Sequence, residues 1–199
     1  MKRIQYNSPV ILTFSILAVV IYLANLIIPR LIHDFFVVRP TMSFFNPLDY
    51  FRLISHVLGH SGWRHLFGNL TYLLLLGPIL EEKYGSTTIL VMILLTALFT
   101  GIINVALFST GLLGASGIVF MLIILASVTD MKRGSIPLTF VLVASIFIGT
   151  EVLKAFRADN ISQMAHIVGG SFGAGFGFMF GNQLPTKTAQ GKPDIIGRL

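Results

Sequence analysis

The sequence predicts an all-α membrane protein with six transmembrane helices and a long first loop at the membrane surface. The chain has 199 residues, of which 54% are hydrophobic and only 11% are charged. A soluble domain of this size needs more charge to cover its surface. Apolar stretches also recur at lengths near the roughly 20 residues that cross a bilayer core about 30 Å thick. We therefore expect one membrane domain over residues 1–182 and a polar tail over 183–199.

The six predicted spans are 10–28, 63–80, 87–108, 115–129, 136–150 and 163–182. Lys2 and Arg3 precede the first span as they would in a signal peptide, but this apolar stretch is too long and ends without a small-residue cleavage site. Residues 30–62 mix prolines, aromatics and charges, which predicts an amphipathic loop lying in the interface. Residues 84–129 carry no charge, and glycine-rich 108–114 divides them into two crossings.

The basic residues predict the orientation and exclude some functions. With the N-terminus inside, the inner segments hold Lys2, Arg3, Lys83, Lys132, Arg133, Lys187, Lys192 and Arg198, and the outer segments hold the other six of the 14. This bias favours both termini on the cytoplasmic side. No basic stripe is present, which argues against nucleic-acid binding. There are no cysteines, so disulfides and thiolate chemistry are excluded.

Four polar side chains lie at one predicted depth. His65 and Asn69 lie in the opening turns of the second span, Ser116 opens the fourth and His166 is early in the sixth. All three spans run from outside to inside, so at 1.5 Å per residue these groups lie within about 10 Å of one another in depth. Polar groups inside a membrane are expensive and usually functional.

Ser116 is the candidate nucleophile, within Gly114-Ala115-Ser116-Gly117 at a loop-to-helix junction. A serine there exposes its hydroxyl, and its own N–H is one of the unpaired donors at a helix start. Such donors, with the helix dipole, stabilise an oxyanion. From these four residues alone, an N-cap serine in a glycine-rich turn is the more frequent explanation.

His166 is the natural general base, because an imidazole titrates near neutrality. Gly169, Gly173, Gly177 and Gly181 follow it at intervals of four, which leaves one helix face as bare backbone and permits a very close neighbour. If that neighbour is the fourth span, the imidazole reaches the Ser116 hydroxyl. The alternatives are that His166 is a hydrogen-bonded packing residue and that the glycine repeat serves helix packing alone.

His65 and Asn69 share a helical face and suit stabilisation of an oxyanion, with interhelical hydrogen bonding as the alternative. Asp159 is interpreted as solvated, so the catalytic unit is a dyad. His56 and His60 have the spacing of zinc ligands, but no acidic residue follows at a useful spacing. We therefore expect loop-packing histidines and no metal site.

Four motifs in this order resemble the rhomboid family of intramembrane proteases, over about residues 49–182. They are HSGWRHLFGN at 60–69, EEKYGS at 81–86, GASG at 114–117 and AHIVGG at 165–170. The resemblance implies Ser116 as nucleophile, His166 as base, and an oxyanion hole of His65, Asn69 and the Ser116 N–H. It also implies a bacterial plasma-membrane location and cleavage of single-span membrane proteins near their outer boundary, without a cofactor.

Two positions depart from the family pattern. Phe120 stands where many members have Tyr under the catalytic imidazole, so stacking survives and a hydroxyl contact does not. Phe51-Arg52 replaces the Trp-Arg of the first loop. Gly114, Gly117, Phe120, Gly169 and Gly173 are expected to support the site. The rival functions are a catalytically silent rhomboid-like chaperone, which lacks the Ser and His pair, and a small transporter, which needs an inverted repeat.

Overall fold

The computed structural model describes residues 5–129, 136–155 and 160–180, and every regular element in these ranges is helical. The helices are α1 (Pro9–Ile27), α2 (Leu31–Phe35), α3 (Pro47–Ser55), α4 (Trp63–Tyr84), α5 (Ser86–Leu107), α6 (Ser116–Val128), α7 (Leu138–Ala155) and α8 (Asn160–Phe180), with a 3₁₀ turn at His56–Leu58. The predicted polar tail, the charged turn near Asp130 and Asp159 lie outside the described residues.

Two helices in the described part of the chain, Pro9–Ile27 and Ser86–Leu107, are long and apolar enough to cross a membrane, and Ser116–Val128 is a shorter apolar helix. An all-helical bundle is thus confirmed for these residues, and the six crossings stay a prediction. Large apolar side chains are exposed along the helices, including Leu26, Leu75 and Ile146. Apolar surface of this extent suits contact with lipid.

Helix α6 forms the centre of the bundle and packs against α4, α5, α7 and α8. Ile118, Met121, Leu122 and Leu125 are completely buried. Helix α1 packs on α4, where Ile11 lies against Gly77. A side chain at position 77 would come within 2.7 Å of Ile11, so this glycine is needed for the close approach.

Helix α4 continues to Tyr84, four residues beyond the predicted end of the second span at Leu80. The reason is a contact with α1 that buries the charge of Glu81, which is only 3% exposed. Its carboxylate accepts hydrogen bonds from the N–H groups of Val10 and Ile11, at 3.0 and 2.9 Å. A carboxylate on the unpaired N–H groups of a helix start is a favourable cap.

The first loop is more ordered than the sequence indicated, since it contains α2, α3 and the 3₁₀ turn. Arg52 is 1% exposed and pairs with the Asp49 carboxylate at 2.5 Å. Its guanidinium also donates to the Asp34 carbonyl. Burial alone would raise the pKa of Asp49, but hydrogen bonds from the Ser43 N–H and Arg52 lower it overall. Buried hydrogen bonds and an ion pair therefore stabilise the fold of this loop.

Candidate active site

Ser116 is the first residue of α6, and the turn before it is shaped by a glycine. Gly114 has φ of +112°, a left-handed conformation that L side chains rarely adopt. Its N–H donates to the His56 carbonyl at 2.9 Å. The His65 ring lies against it, so a Cβ at position 114 would come within 2.5 Å of the imidazole. The turn therefore packs His65 directly against the segment leading to Ser116.

The glycine face of α8 packs against α6, backbone to backbone. A Cβ at Gly169 would overlap the Gly117 carbonyl oxygen, and one at Gly173 would overlap the Met121 carbonyl oxygen. A Cβ at Gly177 would overlap the Val128 side chain. Of the four glycines in the sequence repeat, Gly181 lies outside the described residues. The contact of Gly169 with Gly117 places the middle of α8 beside the start of α6.

His166 is buried at 8% exposure and lies on the α6 side of α8. Its ring contacts Phe120, with centroids 4.1 Å apart and planes inclined by 37°. Ser116 and Phe120 are one helical turn apart, so they share a face of α6. The imidazole therefore packs on the face of α6 that Ser116 opens, while the Ser116 side chain itself is half-buried.

Asn69 and His65, on α4, each have a partner from the short segment before that helix. The Asn69 amide nitrogen lies 3.0 Å from His60 Nε2. His65 Nδ1 lies 3.2 Å from Ser61 Oγ. For these two side chains, the hydrogen-bond partners are thus in the segment before α4 and not in the fourth predicted span. His60 and His65 also touch each other, with ring centroids 4.9 Å apart.

The two histidines considered as zinc ligands lie within hydrogen-bonding distance of backbone carbonyls. His56 Nδ1 lies 3.2 Å from the Arg52 carbonyl, and His60 Nδ1 lies 3.2 Å from the Leu58 carbonyl. Burial lowers the pKa of each ring to about 4, and the neighbouring His65 lowers that of His60 further. Both rings are therefore neutral near pH 7.

A polar stripe on α5 lies behind the site and was missed from the sequence. Thr96, Thr100 and Asn104 are buried and follow one another at intervals of four. Thr100 Oγ1 lies 3.5 Å from His56 Nε2, and the Thr100 methyl group faces Gly117. Asn104 donates to the Thr110 carbonyl at 2.9 Å. Their spacing within an apolar span was the signal that could have found them.

A cavity of about 270 Å³ opens beside the histidines, lined among others by Arg30, His33, His60, Ser61 and Leu113. Its polar residues come from the first loop, from the segment before α4 and, with Asn25, from the end of α1. His60 and Ser61, the partners of Asn69 and His65, form part of its wall. The cavity therefore connects the loop region with the residues that hold these two side chains.

A match to the rhomboid domain covers residues 47–183, more than half of the chain. The chain belongs to the rhomboid family. This rhomboid protein is also 23% identical over 134 residues to the rhomboid protease GlpG of Haemophilus influenzae, a match covering 66% of this chain and 70% of that relative. The family is one of membrane-embedded proteases, and the chain is a serine endopeptidase of this kind.

The matched range contains Ser116, His166, His65 and Asn69, together with the glycines at their contacts. It begins at the first residue of α3, so α1 and α2 lie before it. The assignment favours proteolysis over the transporter alternative.

Proposed function

We propose that this rhomboid protease cleaves single-span membrane proteins near their outer membrane boundary, with Ser116 as nucleophile and His166 as general base. The observation that carries the proposal is the contact of Gly169 with Gly117, which holds the His166 ring on the face of α6 that begins at Ser116. Nucleophilic catalysis by serine requires a base within hydrogen-bonding reach. Two helices in backbone contact allow side chains at their interface to come this close to each other.

In this mechanism His166 takes the Ser116 proton and the alkoxide attacks the peptide carbonyl. The negative charge develops on the carbonyl oxygen, where the Asn69 amide, the His65 ring and the Ser116 N–H donate hydrogen bonds. His166 then returns the proton to the leaving amine, and water hydrolyses the acyl-enzyme. Uncharged donors suit this position, because they stabilise an oxyanion without placing a full charge at membrane depth.

The length of α6 supports a recessed site. Its 13 residues span about 20 Å, roughly 10 Å less than a bilayer core. If its C-terminal end lies at the inner surface, Ser116 lies below the outer one. A substrate backbone in extended form cannot leave its hydrogen bonds unmet in lipid, so the substrate helix must unwind into the polar site. Substrates with Gly, Ala or Pro near the cleaved bond are therefore favoured.

The proposed topology has six crossings within residues 1–182, both termini in the cytoplasm and a bacterial plasma-membrane location. The lengths of α1 and α5 support crossings by these two helices. The bias of basic residues supports the orientation. The site then faces the outer side, which fits the cavity lined by first-loop residues.

The test is cleavage of a single-span substrate, with glycine and alanine near its outer boundary, in liposomes. Ser116→Ala should reduce cleavage to background with an unchanged melting temperature, because it removes only the nucleophile. Ser127→Ala is the matched control, a serine on the same helix whose hydroxyl donates to the Ile124 carbonyl, and it should keep full activity. Full activity in Ser116→Ala would contradict the proposal.

A further inference from the structure

His60 is fixed at both ring nitrogens, in the short segment between the 3₁₀ turn and α4. The side chain is 1% exposed. Nδ1 lies 3.2 Å from the Leu58 carbonyl oxygen, and Nε2 lies 3.0 Å from the Asn69 amide nitrogen. One nitrogen therefore anchors the ring to its own loop, and the other reaches nine residues ahead to a candidate oxyanion donor.

The two contacts assign the proton on the ring. A carbonyl oxygen only accepts, so Nδ1 carries the hydrogen. An amide nitrogen only donates, so Nε2 offers its lone pair to Asn69. Burial lowers the pKa of His60 to about 4, which agrees with a neutral ring near pH 7. A neutral ring with its proton on Nδ1 also fixes which way the Asn69 amide faces, with its nitrogen toward His60.

We propose that His60 is a positioning residue for catalysis, which accepts one hydrogen bond from the Asn69 amide and so fixes the second N–H for the oxyanion. The proposal rests on the proposed role of Asn69. A terminal amide torsion is broad and roughly two-fold, so an unheld amide rotates and can present its oxygen instead. An oxygen facing the developing charge would repel it. His60 prevents this without touching the substrate.

Two substitutions separate the two contacts of the ring. In His60→Asn the side-chain amide nitrogen can replace Nδ1 at the Leu58 carbonyl, but nothing reaches Asn69. In His60→Gln the longer side chain can place an acceptor oxygen near the position of Nε2. We expect His60→Asn to lose roughly tenfold or more in kcat with KM little changed, and His60→Gln to recover most of that loss. Thr71→Ala, a change on the exposed side of α4, is the control and should keep full activity.

The Asn69→Ala background distinguishes positioning from a structural role. Asn69→Ala alone should lower kcat by about 100-fold, the cost of one oxyanion donor. If His60 acts through Asn69, His60→Asn added to Asn69→Ala should cost less than about twofold more. If the kcat losses of His60→Asn and Asn69→Ala multiply in the double variant, the two residues act independently and the proposal is overturned. Equal kcat values in His60→Asn and His60→Gln would also overturn it. Asn69→Ala at full activity, beside an inactive Ser116→Ala, would remove the role of His60 and leave the Ser-His dyad standing.

A measurement on the unaltered protein covers the case in which His60→Asn does not fold. The chain has five histidines, and ¹⁵N spectra of the imidazoles in lipid nanodiscs report the protonation of each nitrogen. The resonance missing in His60→Gln identifies His60. The proposal expects the proton on Nδ1 and a bare, hydrogen-bonded Nε2. A proton on Nε2 would overturn it.

Discussion

The two sides of the candidate site are held by different forces. On one side α6 and α8 meet through Gly117, Gly169 and Gly173, and no titratable group takes part in these glycine contacts. On the other side Arg52, His56, His60 and Asn69 are buried polar residues held by hydrogen bonds. The glycine contact should be indifferent to pH and intolerant of one added methyl group. The polar side should depend on pH, because its hydrogen bonds depend on protonation, and it should be less sensitive to an added methyl group.

The largest effect should come from Gly169→Ala. Its Cβ would overlap the Gly117 carbonyl, and because the neighbour is backbone the helices must separate. We expect activity near background and a loss of stability of about 3 kcal/mol, at the upper end for overpacking. Proteolysis in liposomes and the melting temperature in detergent measure the two losses.

Gly175→Ala is the matched control for this variant. It lies on the same helix, and a Cβ there meets nothing within 4 Å. Alanine favours a helix over glycine, so stability should stay the same or rise by up to about 1 kcal/mol. A Gly169→Ala protein that matches Gly175→Ala in both measurements would show that the backbone contact is not needed.

Gly114→Ala should have the next largest effect, since it disturbs the His65 ring as well as the backbone. Gly85→Ala makes a sharp control, because Gly85 also has a positive φ, of +82°, but a Cβ there meets nothing within 4 Å. Both variants should lose about 1–2 kcal/mol of stability from backbone strain. Only Gly114→Ala should also lose about 100-fold in kcat, as for a displaced oxyanion donor. Equal kcat values in the two variants would remove His65 from the catalytic unit.

Acid should weaken the polar side. The folded pKa of His56 is about 4, below its ordinary 6.5, so the unfolded chain binds more protons between these values. Stability is therefore present above pH 6.5 and is lost as the pH falls toward 4, by about 2 kcal/mol between pH 7 and 5 for this ring. Melting can be followed by the emission of Trp63, the one tryptophan in the chain. His56→Asn should flatten the pH dependence; an unchanged slope in this variant would contradict the buried neutral ring.

Phe120→Tyr should have the smallest effect. Either ring can stack on His166 at the observed 4.1 Å, so we expect a change in kcat of less than about threefold. Phe120→Ala removes the ring and should lower kcat by roughly tenfold, because the imidazole loses its support. Rates of the three proteins at saturating substrate compare these outcomes. If Phe120→Ala were as active as Phe120→Tyr, the ring contact would have no catalytic value.

The predicted spans lie closest to the observed helices where a single apolar stretch defines them. The first and third spans differ from α1 and α5 by one residue at each end. The extension of α4 through Glu81 could not be predicted, because the charge is stabilised by the start of α1, some 70 residues away. Helix α3 was not predicted from the sequence, although the sequence contains a signal for its start. Asn46 caps the Leu48 N–H and Pro47 follows it, a recognisable helix start.

The candidate site shows the same division. The glycine spacing in α8 indicated a close neighbour, but which helix it meets is a tertiary fact that the repeat does not contain. His60 was considered only as a metal ligand or a packing residue. Its bond to Asn69 joins a non-helical segment to the second turn of α4, so no periodic pattern marks it. A contact of this kind can be identified only from the folded structure of the loop.

The most direct test of the central claim is labelling by a fluorophosphonate, which reacts with a serine that an adjacent base has activated. Intact protein in lipid is labelled and the modified residue is located by peptide mass spectrometry, for the wild type, His166→Asn and the control Ser127→Ala. We predict one modified residue, Ser116, with labelling abolished in His166→Asn and unchanged in Ser127→Ala. Labelling at another residue, or equally fast labelling of Ser116 without His166, would contradict the account.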